Sequence, residues 1–384
     1  MPAILYLFSL ANLVLGTGAY VLTGILQPLA TSLHVSVAAA GQVMTAYALS
    51  TAFLAPLILL ATGRWPRKRV ILLAMGLFAS GSALCALADS LTVLLLGRAL
   101  MGAGTVFTAV VAGVAVAIVT PERRGKALAL TFLGMSLSYA LGVPLGAWLG
   151  FTYGWQVPIW VVAGACVAVA ALLAVSLPAR IGAPGAGFAG FGAAARQWFI
   201  LRVWLRTLLY FVAIFSVFAY AGPVLLALNP LTPAQLSLTL VLFGLSGVAG
   251  TAIGGLSADR FGAARTIRLQ LVVLASMMVL VPFTQGHAVL TALVFMVWGL
   301  AGFGMMSPQQ VMLATRVPAQ AALLMSLNSS MLYGGTALGA IVSGALVDTL
   351  GFARLSWVGL PFALLALATL WFDRHVHRHV VPAL

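Results

Sequence analysis

One charged side chain of this 384-residue chain falls deep inside an apolar run: Arg98, in Leu96-Gly97-Arg98-Ala99-Leu100-Met101-Gly102-Ala103-Gly104. It lies about eight residues, or roughly 12 Å at 1.5 Å per residue, from the nearer end of its segment. A guanidinium at that depth is costly and turns toward a bundle interior or an aqueous cavity. Two roles fit it. It is a counter-ion that binds an anionic group of a solute or responds to protonation, or a structural cation capped by carbonyls and polar groups of the first apolar segment, such as Asn12 or Tyr20. Tyr20, Thr23 and Gln27 stand at i, i+3 and i+7, one helical face, which lines a cavity or bonds a neighbouring helix. Phe211, Phe215 and Phe218 make an aromatic stripe, and Trp298, Met305 and Gln309 a second. Asn328, Ser329 and Tyr333 add polar groups to a late segment, and Tyr139 to an earlier one. Each stripe is either packing or the wall of a binding site.

Other chemistries are excluded by spacing. No Ser/His/acid or metal-ligand constellation occurs in the apolar runs, so no enzyme, metal or cofactor is expected. Gly97 to Gly104 lacks the Lys-Ser/Thr of a phosphate loop. Cys85 and Cys166 read as small buried hydrophobes. The alternating His of Arg374-His375-Val376-His377-Arg378-His379 suit headgroup contact or disorder better than a metal.

These residues need elements to hold them, and composition says which kind. The chain is 63% hydrophobic and 6% charged, against roughly 25% charged in soluble domains. That excludes a soluble globule and a disordered chain, and points to an all-α polytopic membrane protein. Twelve apolar stretches are expected at 4–30, 38–62, 70–88, 91–119, 127–150, 155–177, 206–228, 235–258, 266–285, 288–314, 320–347 and 353–372. The net charge of +14 gathers in alternate loops. Arg64, Arg67, Lys68, Arg69, Arg123, Arg124, Lys126, Arg180, Arg196, Arg202, Arg206, Arg260, Arg265, Arg268, Arg316, Arg374 and Arg378 fall on one side, leaving Arg354 opposite and Arg98 within a span. The positive-inside rule places both termini in the cytoplasm, and no nucleic-acid partner is needed to explain the charge.

The Gly/Ala/Pro-rich stretch Gly182–Gly192 reads as a flexible linker. It divides the chain into a six-helix half (1–178), a cytoplasmic linker (179–205), a second six-helix half (206–373) and a tail (374–384). The halves resemble each other. Gly63-Arg64-Trp65-Pro66-Arg67-Lys68-Arg69 after span 2 is answered by Asp259-Arg260-Phe261-Gly262-Ala263-Ala264-Arg265 after span 8. Tyr139, Gly142, Pro144, Gly146, Gly150 and Gly154 are answered by Tyr333, Gly335, Gly339, Gly344 and Gly351. Paired halves suggest a transporter with its site between them near the midplane.

Taken together these motifs resemble the major facilitator superfamily, and within it the twelve-span drug/proton antiporter branch of sugar, purine, chloramphenicol and multidrug exporters. Gly255, Asp259, Arg260 and Gly262 match its loop signature G-x-x-x-D-R-x-G-R-[RK], with Ala263 in place of Arg. The copy after span 2 is degraded, with Gly63 at the acidic position. The segment around Arg98 is similar to the family's arginine motif, and Gly142-Val143-Pro144-Leu145-Gly146 to its antiporter motif G-P-x-x-G with one inserted Val. The resemblance implies two halves rocking by alternating access in an inner (plasma) membrane, in a monomer that exchanges a small-molecule substrate, with or without protons. It implies that spans 1, 4, 7 and 10 line the cavity, so the faces above become its walls. It also implies that Gly63, Arg64, Asp259 and Arg260, with the Gly142, Pro144 and Gly146 hinge, serve gating. Ala19 stands where the branch often has a carboxylate, and all five acids, Asp89, Glu122, Asp259, Asp348 and Asp373, lie near span ends. A facilitated-diffusion carrier, or a receptor or assembly subunit on the same fold, therefore stands beside the exporter reading.

Overall fold

The computed structural model describes residues 2–120, 123–178, 198–316 and 321–376. Residues 179–197 of the expected linker (179–205) and 377–384 of the expected tail (374–384) lie outside them. Every regular element among the described residues is a helix. Hydrocarbon offers the backbone no partners, so a chain this apolar must close its hydrogen bonds within each segment. Twelve helices are long and apolar enough to cross a membrane: Ile4–Gly24, Val37–Ala61, Arg67–Ala86, Leu91–Ala117, Lys126–Tyr153 and Gln156–Ser176, then Trp198–Phe218, Pro233–Phe261, Ala263–Thr284, Ala288–Gln310, Leu327–Leu350 and Phe352–Leu370. We number them spans 1 to 12. Polar caps mark where spans 2 and 8 begin. Ser36 Oγ accepts from Ala39 N, and Thr232 with Gln235 forms a reciprocal capping box. Gly154 and Gly351 end spans 5 and 11 at positive φ (105° and 75°), the same turn at corresponding places.

The packing repeats as well. In the first six spans, 1 lies against 5 and 6, 2 against 4, and 3 against 4 and 6. In the last six, 7 lies against 11 and 12, 8 against 10, and 9 against 10 and 12. The two sets meet where span 2 packs on span 11 and span 5 on span 8. Short helices that continue spans 1 and 7, Leu26–Ser32 and Ala221–Leu228, also touch each other.

Spans 1, 4, 7 and 10 are each broken, spans 4 and 10 near the middle and spans 1 and 7 where their short continuations begin. A 3-10 stretch, Val21–Gly24, interrupts span 1, and Thr105 interrupts span 4. Ala219 and Tyr220 separate span 7 from its continuation, and Met305 divides span 10. The breaks in spans 4 and 10 follow Gly102-Ala103-Gly104 and Gly302-Phe303-Gly304, a further correspondence between the halves. Gly is costly inside a helix, and two within three residues weaken it locally.

One boundary moves. Span 7 begins at Trp198 instead of residue 206, so Arg202 and Arg206 belong to a helix and not to a linker. Arg206 is fully buried, and its role is not that of a solvated loop charge.

Candidate functional site

Seven of the residues singled out from sequence come together where the broken spans meet. Tyr20 stacks on Tyr139 with ring centroids 4.8 Å apart and lies 6.0 Å from both Phe215 and Phe218. Phe211 stacks on Phe215 at 5.8 Å. Phe218 continues to Phe243, and Phe243 to Trp298, at 5.3 and 5.1 Å. Tyr333 lies 6.4 Å from Tyr47 and near the Tyr20 side chain. The cluster thus draws on spans 1, 2 and 5 of one half and spans 7, 8, 10 and 11 of the other. Tyr47, Phe243 and Phe303, which sits 4.8 Å from Tyr139, are members that pattern reading missed. Their mid-span aromatic character was the available signal, but they form no stripe of their own.

Tyr139 reaches the cluster because of a backbone irregularity. Pro144 has no N–H, and its ring opposes the carbonyl four residues back, that of Ala140. The chain relieves this with a π-helical turn, Ser138–Gly142, in which Val143 N–H reaches back five residues to Ser138 O. Gly142, Gly146 and Gly150 then form a groove that receives Thr17, Val21 and Ile25 of span 1. Small residues at a four-residue spacing let two backbones approach, so these positions make a packing seam.

Arg98 is 1% exposed and is capped by carbonyls, two of them from span 1 as expected, but by neither the Asn12 nor the Tyr20 side chain. Nη1 donates to Gly18 O at 2.7 Å, Nη2 to Ala19 O at 2.5 Å and Nε to Val43 O at 3.2 Å. The Tyr47 ring covers the guanidinium at 4.6 Å. Asn12 does not cap it: Asn12 Nδ2 donates to Thr131 O in span 5. The Tyr20 side chain does not cap it either, since Tyr20 turns to the aromatic cluster. Gly18 and Ala19 belong to the last turn before the break in span 1, where the helix presents its negative end. Arg98 is therefore the C-terminal cap of a broken helix.

Several expected wall residues lie elsewhere. Thr23 donates to the carbonyl of Tyr20 in its own turn, and Gln27 is exposed. The 3-10 stretch between them breaks the face they were expected to share. Met305 is buried at the break of span 10. Gln309 Oε1 accepts from Arg206 Nη1 at 3.4 Å and Gln309 Nε2 donates to Thr207 Oγ1 at 3.1 Å. Thr207 in turn donates to Asn328 Oδ1 at 2.6 Å, and Arg206 Nε donates to Thr369 Oγ1 at 2.7 Å. This network ties spans 7, 10, 11 and 12 and holds Gln309 and Asn328 away from the cluster. Ser329 is exposed and bonds within its own helix to Met325 O. At the expected gate, Arg64, Asp259 and Arg260 are exposed, and Gly63 O accepts from Arg67 Nη2 at 3.0 Å. Arg260 lies 5.2 Å over the Phe261 ring. Cys85 and Cys166 are free and fully buried.

A sequence model of the Major Facilitator Superfamily matches residues 8–321 and 207–383, two overlapping stretches that between them take in nearly the whole chain. The chain belongs to the major facilitator superfamily. As a member it is a transporter and not an enzyme. Among its relatives is "Inner membrane transport protein YdhP" of Escherichia coli K12, 31% identical over 370 residues, covering 92% of this chain and 91% of the relative. The "Chloramphenicol resistance protein" of Streptomyces lividans is 33% identical over 267 residues, 68% of each chain. A solved structure of "A Bacterial Homolog to Human Lysosomal Transporter, Spinster, in Inward-facing And Occupied Conformation" superposes with a TM-score of 0.83 at 15% identity, over 99% of this chain and 98% of that one. At that identity the likeness speaks for the facilitator fold alone. In this facilitator the aromatic cluster occupies the place where the two halves meet.

Proposed function

We propose that this facilitator belongs to the drug/proton antiporter branch and exports small amphipathic solutes, neutral or anionic, across an inner membrane by alternating access. The observation that carries the reading is the aromatic cluster assembled from both halves beside the breaks of spans 1, 7 and 10. A solute held there by ring faces and phenolic hydroxyls touches both rocking bodies at once, so its binding can couple to their movement.

Two further features support it. The second part of span 4, Val106–Ala117, is packed by spans 1, 2, 3 and 5, yet Ala109, Gly113 and Ala117 are exposed at four-residue spacing. A central helix with one bare, small-residue face suits the wall of a cavity leading toward the basic loops. With the termini in the cytoplasm, that cavity opens inward. The charge of the solute follows from what is buried. Asp89, Asp259 and Asp348 are exposed, whereas Arg98 and Arg206 are sealed inside. No described carboxylate would neutralise an organic cation at the cluster, and Arg98, behind Tyr47, opposes one.

Chloramphenicol, neutral and aromatic, is the first probe because a relative is named for resistance to it. In proteoliposomes the chain is expected to carry saturable chloramphenicol flux, reduced tenfold or more by Tyr20→Ala in protein that elutes and melts like the parent. Absence of saturable flux for chloramphenicol and for a panel of neutral and anionic aromatic solutes would sink the proposal. A second reading, facilitated diffusion in place of proton antiport, is favoured by the exposed positions of Asp89, Asp259 and Asp348.

A further inference from the structure

At the end of the molecule away from the basic loops, Tyr220 lies between the two halves. It follows span 7 directly and is fully buried. Its hydroxyl stands 3.2 Å from two acceptors, Ala38 O at the start of span 2 in the first half and Ala340 O of span 11 in its own half. Gln42 Nε2 of span 2 donates to the same oxygen at 3.4 Å. The ring needs room that only glycine leaves. A Cβ at Gly41 would collide with the Tyr220 ring and hydroxyl, and one at Gly344 would meet both that hydroxyl and Gln42 Nε2. Beside it, the backbones of Gly24 and Gly222 approach until a Cβ on Gly222 would strike the Gly24 carbonyl.

We propose that Tyr220 is a gating residue for transport, a latch that holds the outer ends of the halves together by a hydrogen bond with an alternative inside its own half. A hydroxyl has one proton. With the halves closed, that proton is shared between Ala38 O and Ala340 O. When span 2 withdraws, Ala340 O keeps it. The hydroxyl is therefore not stranded in either state, and opening costs the cross-half bonds without the larger penalty of an orphaned buried donor. Gly41 and Gly344 make the socket that the ring enters and leaves. Calling this end the outer one rests on the orientation adopted under Proposed function; the latch itself rests on the distances.

The test needs no substrate. Nitroxide labels are placed on Ser32→Cys and Thr349→Cys, two exposed positions at this end in opposite halves, with native Cys85 and Cys166 buried and left unlabelled. In the full chain in lipid nanodiscs, pulsed dipolar spectroscopy of the parent is expected to give a dominant short distance. Tyr220→Phe keeps the ring and loses the bonds, and is expected to raise the ratio of long to short distances about fivefold, the equilibrium equivalent of one net hydrogen bond. Gly41→Leu fills the socket and is expected to move the distribution the same way. Tyr220→Phe with the parental distribution would overturn the latch, as would a lower melting temperature without a change in distance, which marks a packing role only. Labelling of Ser32→Cys in intact cells by a membrane-impermeant maleimide tests the orientation separately. Reaction is expected, and protection would overturn the outer assignment whatever the spectroscopy shows.

Discussion

Arg98 gives up water on every side and receives three carbonyls and a ring face. The planar fork suits that set: two nitrogens address consecutive carbonyls of span 1 while Nε turns to span 2. An ammonium is a point charge and cannot reproduce the arrangement. Arg98→Ala is expected to destabilise the fold by roughly 3 kcal/mol, the scale of leaving buried carbonyls without their charged donor. Arg98→Lys is expected to recover less than half of that in unfolding experiments in detergent. Full recovery by Lys would return Arg98 to a solute-binding role. The need for a buried, conformationally important cation was legible in its depth within an apolar run. Capping by carbonyls of span 1 was legible too, but not which carbonyls, because every residue carries one and no pattern marks those of Gly18, Ala19 and Val43. Arg206 failed for a related reason. Next to a Gly/Ala-rich stretch it looks like a loop charge, and only the tertiary fold surrounds it with Thr369 and Gln309.

The elements of this fold are most informative where they are irregular. Tyr20, Thr23 and Gln27 were read on one face by assuming an unbroken α-helix. A 3-10 stretch advances about 120° per residue against about 100°, so four such residues turn the later part by roughly an extra 80°. That rotation removes Gln27 from the face that holds Tyr20. The number and positions of the spans were legible because apolar length is a strong signal, but the breaks depend on Gly spacing and on what packs nearby. Pro144 illustrates the use of a break. Restoring an N–H there gives Ala140 O its regular partner and relaxes the π-turn that carries Tyr139. Pro144→Ala is therefore expected to stabilise the helix, by up to about 3 kcal/mol, and to raise the melting temperature while slowing transport. A fall in melting temperature would show that the π-turn has another cause.

At the scale of the whole molecule, the repeated helix pairing and the repeated breaks describe two bodies that differ in chemistry. The first half brings Arg98 and three tyrosines to the centre, and the second brings mainly phenylalanines and Trp298. Nothing described at that centre has a carboxylate that could take up a proton on one side of the membrane and release it on the other. A proton gradient does work on a transporter only through a group whose protonation changes between its two states. Asp89, Asp259 and Asp348 are exposed in this state, and solvent on their own side of the membrane reaches them directly. Flux of chloramphenicol in proteoliposomes is accordingly expected to follow its own gradient and to change less than twofold when a gradient of one pH unit is imposed, while counterflow by unlabelled solute accelerates it. Accumulation against the solute gradient, driven by pH alone, would overturn this and direct attention to Glu122 and Asp373. These are the two acids whose side chains lie outside the described set, and conversion of each to its amide would show which one carries the proton.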